Sequence, residues 1–162
     1  MPENGPALTA LYSGWERYQR RLVEALAPLS EEQLGLRAAP ALRPAWLLGA
    51  HIIATRVGWF HGWMAEGDAA IAEFDPWDED RAPTRTTAEL LGGLEATWGM
   101  IRGCLDRWRI ADLEDPFVRR RGDRDVTHSR QWIIWHVIEH DMHHGGELYL
   151  TLGAHGLPTP DM

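Results

Sequence analysis

The chain has 162 residues, 44% of them hydrophobic and nine of them Trp, with a formal net charge of −8 and a pI near 5.4. That length suits one domain, residues 1–162, able to bury a core without staples, and the acidic balance argues against a nucleic-acid binder held by general electrostatics. The single cysteine, Cys104, excludes an intramolecular disulfide; with no N-terminal signal pattern and no uncharged run of membrane-spanning length, the expectation is a soluble, cytoplasmic protein with a small-molecule substrate and no membrane or nucleic-acid partner.

In chain order, Gly5 and Pro6 read as a cap and a first-turn proline. Leu8, Leu11, Tyr12, Trp15, Leu22, Val23 and Leu26 then recur at helical spacing, so a first helix ends near Pro28. Ser30 with Gln33 is a capping-box pattern that opens a short second element before Pro40 and Pro44. Pro44 suits the first turn of a long helix that runs to about Glu66 and stops at Gly67 and Asp68. Leu48, His51, Thr55, Gly58 and Gly62 fall in one narrow arc of it, where the glycines point to close packing or to room for a ligand. Trp46, Trp59, Phe60, His61 and Trp63 add aromatic surface around that face, although His61 lies about 80° from the His51 direction and is left out of the site.

Asp68 to Arg85 is acidic and proline-bearing, and reads as a solvated connection long enough to be a crossover. Its Asp75, Asp78, Glu79 and Asp80 lack the spacing of a calcium loop. Thr86 with Glu89 is a second capping box, and Leu94, Trp98, Ile101, Leu105 and Trp108 follow a seven-residue repeat along a third long helix, with Cys104 packed inertly inside it. Between Leu113 and Arg130, Pro116 and the Gly122-Asp123 pair predict a small hairpin or an irregular loop. Its Arg119, Arg120, Arg121 and Arg124 read first as a solvated turn and second as an anion-binding patch. Ser129 then caps a last helix, whose stop signals are Gly153, Gly156 and Pro158. Four long amphipathic helices and no convincing strand series predict an all-α four-helix bundle.

The last helix carries His136, His140, His143 and His144. His136, His140 and His144 form a stripe one turn apart, continued by Glu147, and imidazoles at i and i+4 close on one ion without distorting a helix. His140 and His144 are the strongest ligand candidates; His143, about 60° around the helix from His140, and His136, one turn upstream, are flanking groups. If His51 joins them, the second and last long helices must face each other. The bland alternative is a polar core network, but several buried imidazoles with no partner would carry a desolvation cost of about 2 kcal/mol or more each. A paired-iron centre needs Glu-x-x-His, and neither Glu139 nor Glu147 has His three residues on, so the site reads as mononuclear. Three imidazoles leave coordination positions open, as catalytic sites do.

His51 followed much later by WHVIEHDMHHGGELYLTLGAHG resembles the DinB/YfiT-like superfamily, whose signature is a histidine in the second helix and an H-x-x-x-H leading into H-[RG]-G-[QE] in the last. Here those positions are His51, His140 and His144, followed by Gly145, Gly146 and Glu147. The resemblance implies an up-down-down-up four-helix bundle and a divalent ion, Zn, Ni or Fe, on the three histidines. It also implies a homodimer, as in many members. Position 145, arginine in many relatives, is glycine here. Relatives include S-transferases of low-molecular-weight thiols such as bacillithiol or mycothiol, and thiol-dependent isomerases. The resemblance therefore implies a metal-dependent thiol transferase, with Glu147 and His143 in catalytic roles as ligand orienters or proton shuttles and the electrophile entering through a Trp-rich mouth. Two alternatives stand beside it: a hydrolase in which Glu147 is the general base for a water nucleophile, and a non-catalytic binding protein in which His136 or His143 closes the coordination sphere.

Overall fold

A computed structural model of the chain describes residues 8–161, most of them helical. The predicted cap at Gly5 and Pro6 lies outside the described residues. After a 3-10 turn at Leu8–Ala10, helix α1 spans Ser13–Leu26. The Ser30 hydroxyl accepts from the Gln33 amide while the Gln33 side chain accepts from the Ser30 amide at 2.9 Å, and this capping box opens a single-turn helix α2, Glu31–Leu34. Pro44 is the N-cap of α3, Ala45–Val57. The predicted α-helix to Glu66 is only partly realised: from Gly58 to Trp63 the helix is π-wound. Gly58 and Gly62 weaken the α-helix at this point, and the wider turn lets Trp59 stack on Trp63 at 5.1 Å. Ala65 and Gly67, with φ of 58° and 79°, then break the helix.

The predicted solvated connection is instead a docked 3-10 segment, Ala69–Asp78, packed on α3. A 3-10 helix has three residues per turn, so Ile71, Phe74 and Trp77 share one face. Ile71 and Trp77 are buried, and Phe74 meets Trp77 edge-on at 4.8 Å. The Thr86–Glu89 capping box opens α4, Thr87–Arg107. A two-stranded antiparallel hairpin follows, β1 Pro116–Arg121 and β2 Arg124–Ser129, turning at Gly122 with φ 63°. Ser129 accepts from the Trp132 amide and caps α5, Arg130–Ala154. Arg130 fastens the hairpin: it donates to Asp112 O and Asp115 Oδ2, and its guanidinium lies over Trp108 and Phe117.

α1 packs on α4 and α5, and α3 packs on the same two helices. Their apolar faces form two clusters, one around Leu22, Leu48, Ile52, Leu90, Leu94 and Leu148, the other around Trp15, Phe60, Trp98, Ile101, Ile133 and Val137. A buried polar layer takes one residue from each long helix: Gln19 of α1, Arg56 of α3, Thr97 of α4 and Asp141 of α5. Arg56 Nη2 donates to Asp141 Oδ2 at 2.7 Å and Nε to the same carboxylate at 3.1 Å. Its Nη1 reaches Gln19 Oε1 at 2.8 Å and Thr97 Oγ1 at 3.4 Å, and Trp15 Nε1 donates to Asp141 at 2.7 Å. Among the described residues no helix is long and apolar enough to cross a membrane.

Candidate metal centre

The polar layer fixes α3 and α5 in one register, because Arg56 and Asp141 are joined by a two-pronged ion pair with both side chains fully buried. Their immediate neighbours in sequence, Thr55 and His140, meet on the outer side of that contact, with the Thr55 hydroxyl 3.3 Å from His140 Nε2. One turn further on each helix come His51 and His144. The three imidazoles converge: ring centroids are 4.6 Å apart for His51 and His140, 4.5 Å for His51 and His144, and 4.3 Å for His140 and His144. One ligand nitrogen from each lies within 4.8 Å of the others, a separation that one ion can bridge.

Carboxylates orient two of these rings from behind. His51 Nδ1 lies 2.5 Å from Asp78 Oδ2, delivered by the last residue of the docked 3-10 segment, and His144 Nδ1 lies 2.7 Å from Glu147 Oε2. Each contact fixes a tautomer with Nδ1 protonated and Nε2 free, the arrangement that carboxylate–histidine–metal sites use. The third ring keeps an orphan: buried His140 Nδ1 has no hydrogen-bond partner. Burial, reinforced by His144 and His51, pushes the His140 pKa down to about 3, and burial lowers that of His144 against the opposing pull of Glu147. These two rings are therefore neutral at physiological pH, the form that ligates metal. Three convergent imidazoles, two carboxylate-backed, and an unsatisfied buried nitrogen fit a bound divalent ion.

The other histidines stand apart. His143 is exposed, its Nε2 3.6 Å from Glu147 Oε1. His143, His144 and Glu147 also lie close enough to one another to hold an ion, but Glu147 is already engaged with His144. His136 is 6.4 Å from His140 by ring centroids and stacks on Trp132 instead, and His61 Nδ1 contacts Glu66 O. Neither His136 nor His143 joins the central trio. Position 145 is filled in another way: a Cβ there would collide with the Tyr18 phenol, coming within 2.9 Å of its Cζ. A groove of about 270 Å3 opens beyond Glu147, lined by Leu42, Leu48, Leu150 and Thr151 among others.

Asp78, Arg56 and Asp141 escaped sequence reasoning as parts of the site, yet each left a signal, while Thr55 falls in the predicted His51 arc with no role assigned to it there. Asp78 follows Ile71, Phe74 and Trp77, whose three-residue spacing marks a docked 3-10 face. Arg56 and Asp141 occupy core positions, between Ile53 and Phe60 and between Val137 and Leu148, where a charge calls for a partner.

A model of the family described as the DinB superfamily matches residues 15–148. Among solved structures, a DinB-like protein from Bacillus cereus ATCC 10987 superposes with a TM-score of 0.70 at 17% identity, covering 96% of this chain and 97% of that one. A conserved protein from Enterococcus faecalis gives 0.55 at 18% identity, covering 91% and 98%. No curated protein sequence matches the chain. At these identities the likeness to the two structures is one of fold.

Proposed function

The chain belongs to the DinB superfamily, and from that premise we propose that it is a metal-dependent transferase activating a low-molecular-weight thiol, such as bacillithiol or mycothiol, for S-conjugation or isomerisation. The observation that carries the reading is the pair of carboxylate-backed imidazoles, His51–Asp78 and His144–Glu147, converging with His140. His51, His140 and His144 would hold one ion of Zn, Ni or Fe, all of which accept imidazole. When bound, such an ion acts as a Lewis acid that favours the thiolate over the thiol at neutral pH.

The chain's own residues do the rest. Asp78 and Glu147 hold two rings in the ligating tautomer, and Thr55 meets the third. Glu147 Oε1, the oxygen not engaged with His144, accepts the thiol proton, and exposed His143, 3.6 Å from it, takes the proton on through one water to solvent. The groove beyond Glu147 gives an apolar electrophile a place beside the site. The hydrolase alternative uses the same free Oε1 of Glu147 as base for a water nucleophile, and a requirement for added thiol in turnover by the loaded protein separates the two readings.

The same proposal takes α1, α3, α4 and α5 as an up-down-down-up four-helix bundle, supported by the packing of α1 and α3 on both α4 and α5. It places the protein in a reducing cytoplasm, where buried Cys104 stays a thiol. It assigns a homodimer, for which exposed Leu11, Trp135 and Met142 supply apolar surface.

The test is elemental analysis of the purified protein beside a His140→Ala, His144→Ala double variant, followed by reaction of thiols with a chlorinated nitroarene. About one ion per chain, lost in the variant, together with metal-dependent conjugation, is expected. Absence of metal after incubation with Zn, Ni and Fe(II), or no thiol reacting faster with the loaded protein, overturns it.

A further inference from the structure

A continuous row of rings leads from the histidine cluster to the hairpin. His136 stacks on Trp132 at 4.9 Å and Trp132 on His128 of β2 at 3.6 Å, with ring planes within 12° in both cases. Trp59 and Trp63 back this row from the π-wound end of α3, Trp59 against His136 at 4.7 Å and Trp63 against His128 at 5.0 Å. At the far end stand two cations. The guanidinium carbons of Arg119 and Arg121 lie 5.9 and 5.7 Å from the Trp63 ring centroid.

Strand geometry explains why these two and not their neighbour. Residues i and i+2 of a strand share a face, and residues directly opposite in an antiparallel pair lie side by side. Arg119 and Arg121 therefore face Trp63 together, with Arg124 opposite Arg121 in the register. Arg120 points to the other face, where it pairs with Asp125 opposite it. Arg119, Arg121 and Arg124 have no carboxylate within ion-pair distance among the described residues. Three like charges gathered on one exposed face with no paired carboxylate make a local basic patch on a protein of net charge −8, a place where an anion is attracted. Guanidinium groups suit oxyanions because their donors match a carboxylate or phosphate in pairs.

We infer that the Arg119–Arg121 face of the hairpin is a subsite for the oxyanion head, carboxylate or phosphate, of an elongated small molecule whose body lies along the Trp132–His136 row and whose far end reaches the histidine cluster. Trp132 and His140 are eight helical residues apart, on the order of 12 Å, so head and reactive group are separated by at least that length. The inference rests on the thiol reading for the identity of the far end, and makes the cosubstrate an acidic thiol. It also revises the approach of the two reactants: the Trp-rich side takes the charged thiol, leaving the groove beyond Glu147 to the electrophile.

Two matched pairs of probes test it by equilibrium dialysis with the full chain: 11-mercaptoundecanoic acid against its methyl ester, and 4′-phosphopantetheine against pantetheine. In at least one pair the charged member binds tenfold or more tightly at low ionic strength, and that pair identifies the head as carboxylate or phosphate. The preference shrinks as salt is raised. It falls to less than twofold in Arg119→Gln, Arg121→Gln and survives in Arg120→Gln. Far-UV circular dichroism and the melting temperature report whether the hairpin variants remain folded. The His140→Ala, His144→Ala variant keeps the charge preference while losing bound metal, so failure of the thiol chemistry and failure of the subsite are read separately. No preference in either pair, or an undiminished preference in a folded Arg119→Gln, Arg121→Gln protein, overturns the inference.

Discussion

Replacing Arg56 by Met removes every hydrogen bond that ties the four long helices through one side chain. Asp141 then stays fully buried with Trp15 Nε1 as its remaining side-chain donor, while Gln19 and Thr97 lose their common partner. Breaking a buried ion pair from one side costs roughly 3–5 kcal/mol, because the charge left behind has lost both water and its partner. Two charge-assisted contacts, at 2.7 and 3.1 Å, put this pair in the middle of that range, about 4 kcal/mol. For a chain of this size that lowers Tm by roughly 8–16 °C. Asp141→Leu, which strands the guanidinium, should cost about as much. The double variant Arg56→Met, Asp141→Leu leaves no buried charge, and its loss should be about 1–2 kcal/mol, since apolar replacement of a whole buried pair is often close to neutral. Urea denaturation of the metal-free proteins followed by tryptophan fluorescence closes the cycle. Additive losses in the double variant would refute the reasoning, for they would mean that the two charges do not interact.

Three further outcomes are expected. Asp78→Asn leaves stability within about 1 kcal/mol of wild type and weakens metal affinity roughly 10–100-fold, read by chelator competition; unchanged affinity would remove Asp78 from the site. The metal-free protein loses stability as pH falls below about 6.5, because the unfolded chain protonates His140 there while the folded chain, with that pKa pushed down to about 3, does not; stability thus rises with pH across this window, and a flat urea midpoint between pH 7 and 5 contradicts it. Gly145→Ala drives a methyl group into Tyr18 and Leu22 and costs about 1–3 kcal/mol, which Tyr18→Ala should largely relieve; a calorimetric melting curve no lower than that of wild type would show that the phenol moves aside freely.

The parts of the fold that were legible are those written in short-range code. Ser30 with Gln33, Thr86 with Glu89, and Ser129 cap their helices through side chains three positions away from the groups they satisfy. Gly122 marks the hairpin through its own dihedral angle. The histidine stripe is legible for the same reason, being a property of one helix. What escaped depends on partners distant in sequence. Arg56 and Asp141 make sense only as a pair, Asp78 only once its segment docks on α3, and Gly145 only once Tyr18 fills the space above it. The π-wound stretch from Gly58 to Trp63 escaped because helical periodicity alone does not separate an α turn from a π turn.

The centre is also a reporter of folding order. His140 and His144 are one turn apart and come together as soon as α5 forms, but Thr55 and His140, which meet at the same place, are 85 positions apart. Contacts of such long sequence separation close late, after the loop between them has surrendered its entropy. A nascent α5 offers an ion two of the three candidate ligands; the third arrives with α3, and the carboxylate behind it only when the 3-10 segment has docked. Tight metal uptake during refolding should therefore trail the recovery of helix signal and coincide with the final docking of α3 on α5. Metal present at 100 times its dissociation constant would then stabilise that last state by about 2.7 kcal/mol, and the two-ligand states before it by less.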